Sequence, residues 1–307
     1  MLRRSDTWRR DIFIPMTRRY ALLLSLSAPA IAQVRAKRVQ NHEQPRPTEA
    51  PAQDSSVRWS PRPVFVGAPV LFKSKNYSGP ANWLGRRIEF RRDGDVFSAL
   101  AGVSLNDAPG RYPLVFGGET VEVTVTDHAY PRSNITVPQN FVAPPKEIQA
   151  QIDEEVAIKQ EVFKSSPPER LWQGPFIPPA NTHYTSSFGA RRVYNGKTRS
   201  VHQGLDYSAA IGTQVRAANS GRVVIARAMY FEGGFIVIDH GESIFTLYMH
   251  LSELLIKEGA AIEKGAPIAK SGSSGRVTGP HLHFGVRWQD LYLEPSTLLG
   301  LWQPETA

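Results

Sequence analysis

The stretch Gly279-Pro280-His281-Leu282-His283-Phe284-Gly285 places two histidines one residue apart, in a run that continues to Trp288. Apolar and polar residues alternate through most of this run, as in a β-strand with one buried face. In a strand, residues i and i+2 point to the same side. The pattern therefore predicts a strand on which His281 and His283 project side by side.

Two further histidine-bearing segments lie upstream in the same part of the chain. They are His202-Gln203-Gly204-Leu205-Asp206 and Tyr248-Met249-His250-Leu251-Ser252. His202 and Asp206 share a face if the segment is extended, and the glycine between them disfavours a helix. Zinc binds imidazole nitrogen and carboxylate oxygen, and a catalytic site uses three protein ligands and one water. The three segments together predict a zinc site.

The remaining histidines carry no such pattern. His42, His128 and His183 stand alone in the sequence, and we expect structural or surface roles for them. His240 ends an apolar run just before Gly241, at a strand end next to a turn. We expect it to form local hydrogen bonds rather than to bind the metal.

Composition limits the class of protein. The chain has 307 residues, 41% hydrophobic and 21% charged, which suits a soluble protein of up to two domains. It has 24 glycines and 24 prolines, which favour turns and short strands over long helices. It contains no cysteine, which excludes disulfides, thiolate zinc ligands, iron–sulfur clusters, a cysteine nucleophile and a cysteine-linked lipid anchor.

The charge is positive but not concentrated. The formal net charge is +8, and residues 1–32 supply half of it with six arginines and two aspartates. The remaining surplus suits a protein near an anionic wall or membrane. No basic stripe with interleaved aromatic residues indicates nucleic-acid binding.

The N-terminus has the pattern of a signal peptide. Arg18-Arg19 precedes the short apolar run 20–29, and Ala30-Ile31-Ala32 is a cleavage signal. A membrane anchor needs about 20 apolar residues, so we predict export with cleavage near Ala32 and no stable membrane insertion. General and twin-arginine export both remain open. Residues 33–60, rich in proline and charge, are predicted to be a disordered linker.

A mainly β fold in two domains is predicted for the rest. Residues 61–143 contain about seven short strands between turns, with Val121, Val123 and Val125 alternating with polar residues, which suggests an immunoglobulin-like β-sandwich. Residues 144–180 are predicted to hold one connecting helix over 146–163, with Ile148, Ile152 and Val156 along one side, and a proline-rich linker.

Residues 181–300 again show short strands separated by glycine turns. Two similar half-repeats begin at Gly212 and Gly259, as in the small β-barrel hybrids of biotin and lipoyl carriers. A carrier needs one exposed lysine at a hairpin tip and does not need the histidines. We therefore expect an antiparallel sheet of barrel-hybrid type with a different function.

Residues 181–298 resemble the lysostaphin/LytM-type zinc metallopeptidases, which cleave peptide bonds in bacterial cell walls. The resemblance rests on His-x3-Asp at 202–206, Tyr-x-His-Leu-Ser at 248–252 and Gly-Pro-His-Leu-His-Phe-Gly at 279–285. The runs 187–192 and 271–278 also fit the family. The β-rich residues 61–143 are similar to the accessory N-terminal domain of some exported members.

The resemblance implies roles for five residues. His202, Asp206 and His283 would be the ligands of one zinc ion per chain, with water in the fourth position. His250 and His281 would be the catalytic histidines. His281 shares a strand face with His283, so its ring can lie near that water without binding the metal. The sequence leaves open which of the two accepts the proton.

Two functions follow from the resemblance. The first is a zinc endopeptidase acting on peptidoglycan peptide stems, in the periplasm or cell wall. The second is a non-enzymatic wall-binding or regulatory module, although such modules have lost residues that are all present here. The bond that is cleaved, a glycine bridge or a D-alanyl cross-link, stays open, as do the role of the N-terminal domain and the oligomeric state.

Overall fold

The computed structural model describes residues 56–136, 144–196 and 198–302. The predicted signal peptide with its cleavage site near Ala32, most of the predicted linker, and His42 lie outside the described residues. Strands dominate the described chain, so the mainly β prediction is confirmed. In this part of the chain, no helix is long and apolar enough to cross a membrane.

The N-terminal β region extends from residue 56 to residue 136. Its strands are β1 (Val57–Ser60), β2 (Val64–Phe65), β3 (Pro69–Ser74), β4 (Gly79–Trp83), β5 (Arg86–Asp93), β6 (Val96–Gly102), β7 (Gly110–Phe116), β8 (Glu119–Thr126) and β9 (Arg132–Ile135). β1 lies inside the range predicted as linker, so the end of that range is ordered strand. Val121, Val123 and Val125 point inward, as their alternation predicts.

The immunoglobulin-like sandwich is not confirmed. Eight strands form one continuous sheet in the order β1-β3-β6-β5-β4-β7-β8-β2. β5 joins the two halves of this sheet, because its first part pairs with β4 and its last residues, Arg91–Asp93, pair with β6. A sandwich has two separate sheets. One sheet therefore curves around the buried side chains of Phe72 and Trp83.

The predicted connecting helix is present. A 3-10 turn at Lys146–Ile148 leads into α1 (Gln149–Lys164). Ile152 is buried as expected, but Val156 is 40% exposed. The helix contacts the C-terminal region along its length: Glu155 accepts a hydrogen bond from the backbone N–H of Tyr230 at 2.9 Å, and the ring of Phe163 lies 5.2 Å from that of Phe245.

The C-terminal region is an antiparallel sheet, as predicted. Its elements are β10 (Tyr184–Ser186), β11 (Arg191–Tyr194), β12 (Thr198–Val201), β13 (Leu205–Tyr207), β14 (Gln214–Arg216), β15 (Gly221–Met229), β16 (Gly233–Asp239), β17 (Ile244–Leu254), β18 (Ala261–Ile262), β19 (Pro267–Ser271), β20 (Leu282–Trp288), β21 (Leu291–Leu293) and α2 (Pro295–Gly300). The main path runs β10-β13-β20-β17-β16-β15-β18. β19 pairs with β14 and β17, which closes the sheet further towards a barrel.

The two β regions are joined by backbone and side-chain contacts. β9 pairs in parallel with β11, which also pairs with β12 in a separate three-stranded sheet. The guanidinium of Arg170 donates to the carbonyl of Ser98 at 2.8 Å and to the carboxylate of Glu242 at 2.9 Å. The described residues belong to one compact unit, Gln53–Ala307.

His240 makes the local hydrogen bonds expected from its position. Its Nδ1–H donates to the carbonyl of Ser220 at 2.7 Å, and its Nε2 lies 2.8 Å from the hydroxyl of Thr246, which donates to it. The side chain is completely buried, and burial lowers its pKa to about 4. The imidazole is therefore uncharged in the folded protein at neutral pH.

Acid is expected to destabilise the fold through His240. Its pKa in the unfolded chain is about 6.5. As the pH falls from there towards 4, the unfolded chain binds a proton that the folded chain does not. The free energy of unfolding should fall by about 3 kcal/mol over this range. Urea unfolding of wild type and His240→Gln at several pH values checks this, since the advantage of the wild type should shrink with acid. A constant difference would contradict it.

Candidate active site

Neighbouring strands bring two of the three predicted metal ligands to one face, and the third, His202, lies in the connection just before β13. β13 pairs with β20, and Asp206 lies directly opposite His283. Directly opposed residues of an antiparallel pair share a face and lie close together. The residues beside them in sequence, such as Leu205 and Phe284, point to the other face and are buried in the core. The core therefore determines which face carries the polar side chains.

Three ligand atoms converge on one point. His202 Nε2 lies 2.9 Å from Asp206 Oδ1 and 3.0 Å from His283 Nδ1, and His283 Nδ1 lies 2.9 Å from Asp206 Oδ1. The three side chains are buried. The Nδ1–H of His202 donates to the carbonyl of Ser187 at 2.9 Å, which leaves its Nε2 without a proton while the ring is neutral. A cation between the three atoms would satisfy their lone pairs together, so this group could hold a metal ion.

The carboxylate of Asp206 is strongly favoured in its charged form. Burial opposes ionisation, but hydrogen bonds and positive charge from His202 and His283, when these rings are protonated, outweigh it and hold the pKa of Asp206 well below its usual range. Its second oxygen, Oδ2, accepts a hydrogen bond from Arg192 Nη2 at 2.7 Å. Sequence reasoning gave Arg192 no role, because nothing in the local pattern shows that β11 passes beside Asp206.

His250 reaches this face through a β-bulge. Between Tyr248 and Leu251, β17 has one more residue than the opposite stretch of β16. His250 has a φ of 66°, a left-handed conformation that is unusual for a residue with a side chain. With regular alternation His250 would follow Tyr248 into the core. The bulge turns it towards His281, and their ring centroids lie 4.7 Å apart.

Both of these histidines are oriented by backbone carbonyls. The Nδ1–H of His250 donates to the carbonyl of Ser274 at 2.9 Å, and that of His281 donates to the carbonyl of Gly279 at 2.8 Å. Each neutral ring therefore has a bare Nε2, and that of His281 lies 3.7 Å from Asp206 Oδ1. Burial, with the neighbouring His283 and His281, lowers the pKa of His250 to about 3. His250 is thus uncharged at neutral pH and can accept a proton or a hydrogen bond at Nε2.

Gly204 lies against one of the metal-binding candidates. A Cβ at this position would come within 2.6 Å of His283 Nε2 and 2.5 Å of the carbonyl oxygen of Phe284. Real Cβ atoms do not approach other atoms so closely. The glycine that argued against a helix in the sequence therefore has a second role, which is to let the chain pass beside the His283 ring.

The five side chains lie in a cleft of about 480 Å³ whose walls come from several parts of the chain. The C-terminal sheet supplies the polar floor and the apolar Met249 and Phe235. β9 supplies Ile135, and α1 supplies a row of four side chains: Val156, Lys159, Gln160 and Phe163. Lys159 forms an ion pair with Glu232, which fixes α1 to the cleft wall.

The other described histidines lie elsewhere. His128 stacks on Phe65 with ring centroids 4.7 Å apart, and His183 lines a second, open cavity with Tyr184 and Tyr207. The structural or surface roles expected for both agree with these positions.

Part of the sequence is similar to known proteins. Residues 200–295 match the model of peptidase family M23. A stretch of 126 residues, 41% of this chain, is 36% identical to the peptidoglycan DD-endopeptidase ShyA of Vibrio cholerae and covers 27% of that protein. A stretch of 106 residues, 34% of this chain, is 39% identical to the DD-carboxypeptidase/endopeptidase Mpg of Neisseria meningitidis and covers 24% of it. The chain thus spans only about a quarter of the length of these relatives.

The fold has a close counterpart among solved structures. A Pseudomonas aeruginosa protein assigned to peptidase M23 superimposes with a TM-score of 0.60 at 23% identity, over 78% of this chain and 96% of the other. This likeness concerns the fold alone and extends beyond the catalytic region. The sequence match and the fold agree with the resemblance to the lysostaphin/LytM type, and the chain carries a domain of peptidase family M23.

Proposed function

We propose that this protein is a zinc-dependent endopeptidase that hydrolyses the peptide cross-links of bacterial peptidoglycan. The observation that carries the proposal is the convergence of His202 Nε2, Asp206 Oδ1 and His283 Nδ1 within 3.0 Å of one another. Two more histidines with bare Nε2 atoms face the same cleft. Hydrolysis of a peptide bond needs both a charged centre for the carbonyl and groups that move protons.

The donor set fits zinc. Two imidazole nitrogens and one carboxylate oxygen form a common catalytic zinc set, in which a fourth position stays open. Ligand atoms bound at about 2 Å in a tetrahedron lie about 3.3 Å apart, so a small outward shift of the three side chains would admit the ion. When bound, zinc supplies a Lewis acid and lowers the pKa of water towards about 7.

His250 and His281 would move protons and stabilise charge in this proposal. A neutral imidazole with a bare Nε2 can take a proton from the attacking water and later pass it to the leaving amine. The other ring could stabilise the negative charge that develops on the carbonyl oxygen only when its Nε2 carries a proton and donates it in a hydrogen bond. Backbone carbonyls hold both rings by Nδ1, so neither ring has to reorganise during the reaction.

The substrate and location are proposed from the relatives. ShyA is named a peptidoglycan DD-endopeptidase, which supports peptidoglycan peptide stems as the substrate and a D-alanyl cross-link ahead of a glycine bridge. Export to the periplasm or cell wall follows from that substrate and from the signal-peptide pattern of residues 1–32.

The test uses residues 33–307 with purified peptidoglycan, with and without a zinc chelator. We expect uncross-linked muropeptides to appear, to vanish with the chelator and to return when zinc is added back. The masses of the products identify the bond. No products from protein that binds zinc stoichiometrically would contradict the proposal and favour the wall-binding or regulatory module.

A further inference from the structure

We propose that Arg192 is a positioning residue of the metal centre, holding Asp206 so that only one carboxylate oxygen faces the ion. Arg192 ends the run 187–192, which fits the family resemblance, and precedes residues 200–295, which match the family model. The inference rests on the zinc centre proposed above. It concerns the number of positions that the protein occupies around the ion, and therefore the coordination number of the ion when water is bound as well.

The contacts of Asp206 divide its two oxygens between different partners. Oδ1 lies 2.9 Å from both His202 Nε2 and His283 Nδ1. Oδ2 accepts from Arg192 Nη2 at 2.7 Å, and the same nitrogen donates to the hydroxyl of Ser186 at 2.7 Å. Ser186 and Asp206 are opposed in the β10–β13 pair. The guanidinium is therefore held from two sides, and it fixes the rotation of the carboxylate.

The backbone beneath Arg192 is fixed by pairing on both edges of β11. Arg192 pairs with Ser200 of β12 on one side and with Ser133 of β9 on the other. The Arg192 side chain is only 15% exposed. The preceding residue, Arg191, is exposed on the other face of the same strand and serves as a matched control.

A carboxylate can bind a metal through one oxygen or through both. Binding through both would place a fourth protein atom on the ion, which together with the water would raise the coordination number from four to five. A charge-assisted hydrogen bond from a guanidinium to Oδ2 opposes this, since such bonds are about twice as strong as neutral ones. Without Arg192, the second oxygen would be free to rotate towards the ion.

Metal affinity alone would not test this role. Removing Arg192 takes a positive charge away from a dication, which favours metal binding, while the loss of an oriented ligand disfavours it. The coordination number and the turnover at saturating metal report the proposed role directly. Cobalt(II) serves as the probe, because four-coordinate cobalt absorbs visible light much more strongly than cobalt with more ligands.

The experiment loads residues 33–307 with cobalt, comparing wild type, Arg192→Ala, Arg192→Lys, Ser186→Ala and Arg191→Ala. Wild type and Arg191→Ala should show the strong four-coordinate band. Arg192→Ala should lose it and lose about 10- to 100-fold in kcat at saturating metal, with KM little changed. Arg192→Lys keeps one cationic donor and should recover most of the band and most of kcat. Ser186→Ala should change the band and kcat in the same direction as Arg192→Ala.

An Arg192→Ala protein with the wild-type band and kcat would overturn the inference and leave the zinc proposal standing. A wild-type chain that binds no metal would overturn both. Thermal unfolding of the metal-free variants shows whether each one folds. If Arg192→Ala does not fold, Ser186→Ala decides, and an unchanged band and kcat there would overturn the inference.

Discussion

Replacing His283 by alanine is expected to abolish stoichiometric zinc binding and to lower turnover about a thousandfold or more. Nδ1 of His283 is one of three atoms that converge within 3.0 Å. A bound metal ion stabilises the transition state by several kcal/mol, and about 4 kcal/mol corresponds to a thousandfold in rate. His202→Ala and Asp206→Ala should behave in the same way.

The measurement is metal content per chain after dialysis, followed by muropeptide release. His183→Ala is the matched control, because His183 lines a separate cavity. That variant should keep one zinc per chain and wild-type turnover. Full zinc occupancy in any of the three ligand variants would show that the assignment of that residue is wrong.

Replacing His250 or His281 by alanine should remove turnover but leave zinc bound, unlike the replacement of a metal ligand. Neither Nε2 lies in the cluster of three ligand atoms, and that of His281 is 3.7 Å from Asp206 Oδ1. Proton transfer by a positioned side chain contributes about 10²- to 10⁴-fold to a rate. We expect a loss of this size in kcat for each variant, with one zinc still bound per chain.

The zinc content decides the role of His281. If His281→Ala loses zinc as well as turnover, His281 is a ligand and the open position has to be sought elsewhere. For His250, wild-type turnover in the alanine variant would contradict a catalytic role. The pH dependence of the rate, measured for both alanine variants, separates the two histidines. If the decline of the rate at acid pH disappears in one variant, it is caused by the histidine that this variant lacks.

Short-range patterns predicted which side chains lie together in this cleft. The same-face geometry of His281 and His283 follows from strand periodicity. His202 lies in the connection between β12 and β13, so periodicity does not account for its place beside Asp206. The structure brings all five predicted side chains into one cleft. The mainly β fold and the connecting helix were predictable for the same reason, since each depends on neighbours within a few residues.

Features that depend on register between distant segments were not predictable. The bulge at His250 appears only when β17 is paired with β16, since the sequence of β17 alone does not show which strand carries an extra residue. The contact between Arg192 and Asp206 requires β11 to lie beside β13, and the curved eight-stranded sheet requires β5 to serve two partners. Such pairings follow from the packing of the whole chain.

Because the cleft walls come from several parts of the chain, a shortened form of this protein would lose some of them. A fragment limited to residues 200–295 would keep the five predicted site residues, which are His202, Asp206, His250, His281 and His283. It would lack Arg192, Ile135 and the whole of α1, so the sheet face under Phe163 would be open to water. Weak activity in such a fragment would be explained by the loss of the flanking walls of the cleft. It would not show that the metal ligands fail to bind the ion.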